Sequence, residues 1–225
     1  VRAELSGIGD AGPFAVSEPF IAGALRNWQF ALKPRQIGRL YQRADKTLLR
    51  NRMPSAAPIS DTVLRDLVNK AMSDVLITML ALNSKLVWVS DDHPGDEPPP
   101  LSQNSPLVVG AVGFIGDING LIYLHLESEF AKLVTCKLVG LSPEDIDAEG
   151  DEVVNDAVGE LTNMTVGGFK NALCDMGLPC NLTIPSILRG SNFTIEPASN
   201  ALRHVYQFEA DGRKMTADLL LQYNE

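Results

Sequence analysis

The sequence predicts an α+β domain in which two long helices pack on one antiparallel β-sheet. Three observations carry that prediction. Two segments, near 60–82 and 150–176, hold apolar residues at helical spacing over many turns. Two pairs of strand-like runs meet at Asn-Gly or Asp-Gly dipeptides, the residues that tight hairpin turns favour. The order of elements also repeats: a long helix, a strand, a loop and a hairpin occur once in each half, which predicts a pseudo-twofold internal repeat.

The first helix is predicted from Ser60, a suitable N-cap. Val63, Leu64, Leu67, Val68, Met72, Val75, Leu76, Met79 and Leu80 recur along it at i, i+3 and i+4. "KLVWVS" follows as a strand. "DDHPGDEPPPLSQNSP", residues 91–106, is acidic and rich in proline, and can continue neither a ladder nor a helix. "LVVGAVGFIG" and "GLIYLHL" are two strands, with "DING" between them as a tight turn on Asn119-Gly120. A short amphipathic helix, "SEFAKLVTCKLVG", closes at Gly140, and "LSPEDI" starts another with Ser142 as cap and Pro143 at its first position. The second long helix runs to about Met176 and stops at Gly177, with Pro179 beyond. The rest reads as strands, the last two, "LRHVYQFEA" and "RKMTADLLLQY", meeting at a second "DG" hairpin.

With 45% hydrophobic and 21% charged residues, the chain has the composition of a protein that builds its own core. It has no apolar run long enough to span a bilayer, and no basic-then-apolar leader opens it. Cys136, Cys174 and Cys180 form an odd set without metal spacing, which fits a reducing cytoplasm, and the Asn-x-Thr triplets are discounted accordingly. Charge is uneven: residues 1–52 hold nine Lys/Arg against four Asp/Glu, net +5, leaving ten against twenty-four, net −14, for residues 53–225. So acidic a globular part repels phosphates, which argues against nucleic acid as a partner. Residues 1–57 read as a basic, loosely ordered extension, with Met53 a candidate first residue of the native protein. Residues 58–225 form the domain.

The second long helix carries the chemistry. In "DAVGELTNMTVGG", Asp156, Glu160, Asn163 and Gly167 fall on one polar stripe, with Val153, Ala157, Leu161, Met164 and Gly168 expected as the apolar stripe toward the sheet. Two adjacent glycines in a helix interior cost about 1 kcal/mol each against alanine. Gly168 is expected to permit tight packing on the sheet, and Gly167, on the polar stripe, to leave room for a partner. Glu-x-x-Asn alone is weak: Glu152/Asn155 is a second copy on the same helix, and Asp66/Asn69 a near copy on the first. His93, His125 and His204 lie in a loop and on two strands, without the nucleophile or metal spacing that would make them catalytic.

Taken together, Asp156-Ala-Val-Gly-Glu160-Leu-Thr-Asn163-Met164-x-x-Gly167, the upstream "GFIGDINGLIYL" and "FAKLVTCKLVG", and the downstream "IPSILRG" resemble the CheX/CheC/FliY chemotaxis phosphatases, most of all CheX-like domains. The resemblance covers residues 58–223 and leaves 1–52 without a counterpart. It implies a phosphatase that docks on a phosphorylated CheY-type receiver domain and accelerates hydrolysis of its aspartyl phosphate. Glu160 would pair with the receiver's active-site lysine and Asn163 would orient the attacking water, with Asp156, Met164 and Gly167 as partner-binding residues. A carboxamide suits that task because it donates and accepts without adding charge beside an anionic phosphoryl group.

The resemblance also implies that this chain binds no cofactor or metal itself, Mg²⁺ being held by the receiver, and that it forms a homodimer joined through its sheets. CheC-like relatives carry Glu-x-x-Asn on both long helices; here the first helix has only Asp66 and Asn69 and resembles the silent first helix of CheX. The alternative is a non-catalytic module of the same fold that docks on a receiver or on the flagellar switch. Retention of both Glu160 and Asn163 favours the enzyme.

Overall fold

The computed structural model describes residues 58–101, 106–191, 193, 195 and 201–223. The expected basic extension, residues 1–57, and the candidate start at Met53 lie outside the described residues. Helix α1, Asp61–Leu80, starts at Ser60, whose hydroxyl accepts from the Val63 amide, and ends at Ala81 in the left-handed region, φ 53°. Strand β1, Ser84–Val89, runs into a single 3₁₀ turn, Ser90–Asp92. Strands β2, Leu107–Gly116, and β3, Ile118–Glu127, follow. Helix α2, Ser128–Val139, closes on Gly140 at φ 74°. Helix α3, Pro143–Glu149, has Ser142 and Asp145 capping each other reciprocally. Helix α4, Asp151–Asp175, is followed by β4, Cys180–Leu182, β5, Ser186–Gly190, β6, Leu202–Ala210, and β7, Arg213–Tyr223. The fold class read from the sequence is the one observed.

The sheet order is β1-β6-β7-β3-β2-β4, with β5 also paired to β2, and every pairing is antiparallel. The pseudo-twofold runs between β7 and β3. It exchanges the hairpin β2–β3 with β6–β7, and β1 with β4/β5. The opening strand of each half therefore pairs with the hairpin of the other half, so the repeats interlock rather than stand side by side. A further tie closes the ring: the Tyr223 hydroxyl on β7 accepts from the Ile59 amide, 3.0 Å away.

The two hairpins differ. In β6–β7 the pair Ala210↔Arg213 leaves a two-residue turn, and both Asp211 (φ 53°) and Gly212 (φ 68°) take positive φ as such a turn requires. The β2–β3 turn departs from expectation. Asn119 and Gly120 belong to β3, neither has positive φ, and Gly120 already faces Phe114. The chain reverses around Asp117, and the Asn119 carboxamide oxygen accepts from the Gly116 amide at 3.1 Å. The physical reason is the sheet itself: Asn119 pairs with Gln222 of β7, and Ile115 with Asn181 of β4, so neighbours on both sides hold this end extended.

Phe114, Phe130, Phe169, Tyr206 and Phe208 fill the layer between sheet and helices. The opposite face is also largely covered. Val109, Ala111, Tyr123 and Leu220 pack there with Phe193 and Ile195. Beside them lies a buried polar row. Arg203 grips Asp218 with two nitrogens, at 3.0 and 2.7 Å, and the Gln207 amide donates to the Pro99 carbonyl at 2.7 Å. Burial raises the Asp218 carboxyl above its ordinary value, with Arg203 opposing. Burial, helped by the Arg203 charge, lowers His125 from 6.5 to about 4.

His125 therefore stays neutral in the folded state where the unfolded chain would bind a proton. Between pH 6.5 and about 4 the unfolded state holds more protons, so stability falls on acidification. Urea unfolding across that window should show a loss on the order of 3 kcal/mol for the native protein. The curve should be flatter for His125→Gln; matching slopes would show that His125 is not the group responsible.

Candidate functional site

Helix α4 seats on β2 with little room to spare. A methyl group at Gly110 would overlap the Thr162 hydroxyl and come within 3.3 Å of the Val158 carbonyl. Thr162 is fully buried there, as is Thr165, and each hydroxyl donates to the carbonyl one turn back, Val158 at 2.7 Å and Leu161 at 2.9 Å. Two polar side chains thus line the core without an unpaired group. Val154, Val158, Thr162, Thr165, Val166 and Phe169 make the inward face, with Phe169 tilted against Phe114 at 5.6 Å.

This corrects the expected stripe. Ala157 and Leu161 are buried, but Val153 and Met164 are only half-buried and Gly168 is exposed. Threonines that satisfy themselves count as core, which a hydrophobicity pattern cannot register, so the buried face is rotated toward 158–162–165. Gly168 does not pack on the sheet: a Cβ there would meet Ala71 of α1 at 3.4 Å. It lies where the two long helices meet.

The polar stripe is opposite the core. Asp156 and Glu160 are exposed, Asn163 and Gly167 half-buried, and a Cβ added to Gly167 would find nothing within 4 Å. Among the described residues neither Glu160 nor Asn163 has a hydrogen-bond or ion-pair partner. Asn163 lies one turn after Gly159, whose Cβ would stand 3.8 Å from Pro185 and 3.7 Å from Ile187, so it borders the flank facing the β4–β5 junction. Met164 lies on the other flank, one turn before Gly168 and α1. The free pair sits on a ridge between α1 and that junction.

The second Glu-x-x-Asn copy is built into the structure. Arg189 donates from Nε to the Asn155 carboxamide oxygen at 2.7 Å and from Nη2 to the Asp151 carbonyl at 3.1 Å, and its Nη1 pairs with the Asp151 carboxylate at 2.9 Å. Sequence reasoning missed Arg189 as the clamp on the start of α4; its only signal was its place in "IPSILRG". Among the described residues the near copy on α1 is free. At an offset of 94 positions (160 − 66) Leu64, Val68 and Met72 align with Val158, Thr162 and Val166, all buried. Asp66 is exposed and Asn69 half-buried, as Glu160 and Asn163 are.

The three histidines hold structural places. His93 stacks on Trp88 at 5.3 Å, His204 pairs with Asp91 at 3.0 Å, and His125 belongs to the polar row. A concavity of about 390 Å³ lies at the start of α4, between Pro106, Lys132 and Arg189, and includes neither Glu160 nor Asn163. The candidate site is a convex ridge, the shape met by another protein rather than by a small molecule. Among the described residues no His, Cys, Asp and Glu side chains gather as a metal site, and no helix is long and apolar enough to cross a membrane.

The family model described as "Chemotaxis phosphatase CheX" matches residues 108–209, which take in β2 through most of β6, with α4 between them. Over that span this chain is similar to CheX. The CheY-P phosphatase CheX of Thermotoga maritima is 30% identical over 90 residues, 40% of this chain, and the match spans about half (56%) of that relative's length. Among solved structures, a CheC-like superfamily protein from Shewanella sp. PV-4 is 26% identical with TM-score 0.59, over 72% of this chain and 99% of that one. The CheX of Borrelia burgdorferi, solved in a CheX–CheY–BeF₃–Mg²⁺ complex, shares the fold at 22% identity and TM-score 0.53, over 71% and 97% of the two chains. The Glu-x-x-Asn helix thus lies at the centre of the matched region.

If Arg189 anchors α4 through Asn155, Asn155→Ala should lower stability by about 1–2 kcal/mol, the value of a hydrogen bond to a charged group at a partly exposed position. Urea unfolding checks it; an unchanged midpoint would show that the Asp151 contacts suffice.

Proposed function

We propose that this CheX-like domain is a phosphatase acting on the aspartyl phosphate of a CheY-type receiver domain. One observation supports the reading above the rest: Glu160 and Asn163 stand without partners on the outward ridge of a helix whose inward face is tightly seated. Side chains already engaged, as Asn155 is by Arg189, could not serve a second molecule without losing a contact. The relative from Thermotoga maritima carries the same activity in its name, and a CheX of this fold has been solved with CheY.

The chemistry asks little of the phosphatase. An aspartyl phosphate is a mixed anhydride: water attacks phosphorus as the bond to the carboxyl oxygen breaks, leaving inorganic phosphate and a free carboxylate. What speeds this is a water held in line with the leaving oxygen. Asn163 accepts a hydrogen bond from that water through its carboxamide oxygen, while its NH₂ group donates toward the phosphoryl oxygens. Glu160 pairs with the receiver's lysine and fixes the register of docking. Asp156 and Met164 contact the receiver on either side, and Gly167 leaves space for its loops. Mg²⁺ belongs to the receiver, and the pair meets in the cytoplasm.

Asn163→Ala should cut the accelerated decay of the phosphorylated receiver by about ten- to a thousandfold, with the fold intact. Asn155→Ala should leave that rate within about twofold of the parent. Phosphate release from a receiver charged with a small phosphodonor, with and without each variant, is the measurement. Full turnover by Asn163→Ala would end the mechanism, and a large loss at Asn155 would point to the other copy.

The same reading includes a C₂ homodimer joined through the sheets. The sheet ends at β1 and at β4/β5, and open edges favour pairing with another chain. Beyond β1, Ser90 accepts from the Val205 amide and the Pro99 carbonyl from the Gln207 side chain, both on β6. Light scattering at rising micromolar concentration should give twice the chain mass; a persistent monomer mass would refute the dimer.

A further inference from the structure

Ile184 is 87% exposed, against 38–51% for the other large apolar side chains at the surface. Its backbone is far from loose. Strands β4 and β5 are one strand on β2, broken where three residues, Thr183–Pro185, stand opposite two, Val112–Gly113. This is a β-bulge, a device that re-aims a side chain out of the ladder. The bulge is clamped: the Thr183 amide donates to the Gly113 carbonyl and the Gly113 amide to the Thr183 hydroxyl, both at 2.9 Å. Pro185 fixes the next φ and rests against Gly159.

The opening strand of the other half carries its own irregularity, between Leu86 and Trp88, and Val87 there is 38% exposed. The repeat therefore accounts for a bulge at this place, but not for a branched apolar side chain held almost wholly in water. Position narrows the occupant. Pro185 and Ile187 flank Gly159, which immediately precedes Glu160 and lies one turn before Asn163, so the β4–β5 junction that carries Ile184 borders the flank of α4 on which Asn163 lies.

We infer that Ile184 is the apolar docking residue for the receiver domain that Glu160 and Asn163 engage, seated in a nonpolar recess of that partner beside its phosphorylation site. This rests on the phosphatase reading above. A rigid apolar anchor next to a polar pair gives the contact a buried centre, and it loses little conformational freedom on binding because the bulge already holds it.

The test is direct binding to a CheY-type receiver loaded with BeF₃⁻ and Mg²⁺, by calorimetric titration, alongside phosphoryl-receiver decay. Ile184→Asp should keep the parent's thermal midpoint, since the side chain packs on almost nothing. It should bind at least about tenfold more weakly, with Ile184→Ala intermediate, and raise KM with little change in kcat. Ile184→Asp binding as tightly as the parent would overturn the inference while leaving the phosphatase reading in place. So would a variant whose only change is a lower particle mass in light scattering, which would make a second copy of this chain the occupant. A parent protein that does not bind the loaded receiver would overturn both.

Discussion

Everything at the candidate site depends on how closely α4 lies on β2. The approach is set by Gly110, which has no side chain to hold the helix off, and by Thr162, which fills the place that such a side chain would take. Thr162 and Thr165 return their hydroxyls to the helix's own carbonyls, so neither is left unpaired in the core. A helix so seated cannot rotate without driving a threonine into a strand. Its rotation fixes which residues face away, and those are Asp156, Glu160, Asn163 and Gly167.

The interlocked repeats carry that seating to the whole domain. Because β4/β5 pairs with β2 of the other half, the residues that steady the first half of α4 arrive from its own C-terminal side. Arg189 clamps Asp151 and Asn155, while Pro185 and Ile187 border Gly159. Across the helix, Gly168 against Ala71 lets α1 approach from the opposite flank. The ridge thus has support on both sides and below, and none of that support comes from Glu160 or Asn163. Side chains with no structural duty are the ones a second protein can use.

Similar economy of polar groups marks the far face of the sheet. Arg203 and Asp218 neutralise each other where burial would otherwise forbid a charge, and His125 remains uncharged beside them. Histidines at 93, 125 and 204 invite a catalytic reading in a sequence, but each serves packing or pairing in the structure. The proposed chemistry rests instead on a carboxylate and a carboxamide, Glu160 and Asn163, and would draw on a phosphoryl group that carries its own reactivity in the partner.

Local chemistry made much of this protein legible from its residues alone. Ser60, Ser142, Gly140 and Gly177 mark helix ends because caps satisfy orphan backbone groups locally, and Asp211-Gly212 marks a hairpin because two positive φ values are needed within two residues. The Glu160–Asn163 stripe is legible for the same reason, since 3.6 residues per turn places those side chains together wherever the helix goes. Tertiary structure decided what periodicity does not encode. Asn119-Gly120 is extended, not a turn, because β7 and β4 pair with both arms of that hairpin. The buried face of α4 runs through Thr162 because Gly110 of β2 makes room for it. Asn155 is occupied and Asn163 free because Arg189, thirty-four positions from Asn155, reaches one and not the other. Ile184 is thrust into solvent by a bulge that exists only when β4 and β5 share β2, a pairing set by distant strands and not by the five residues around it.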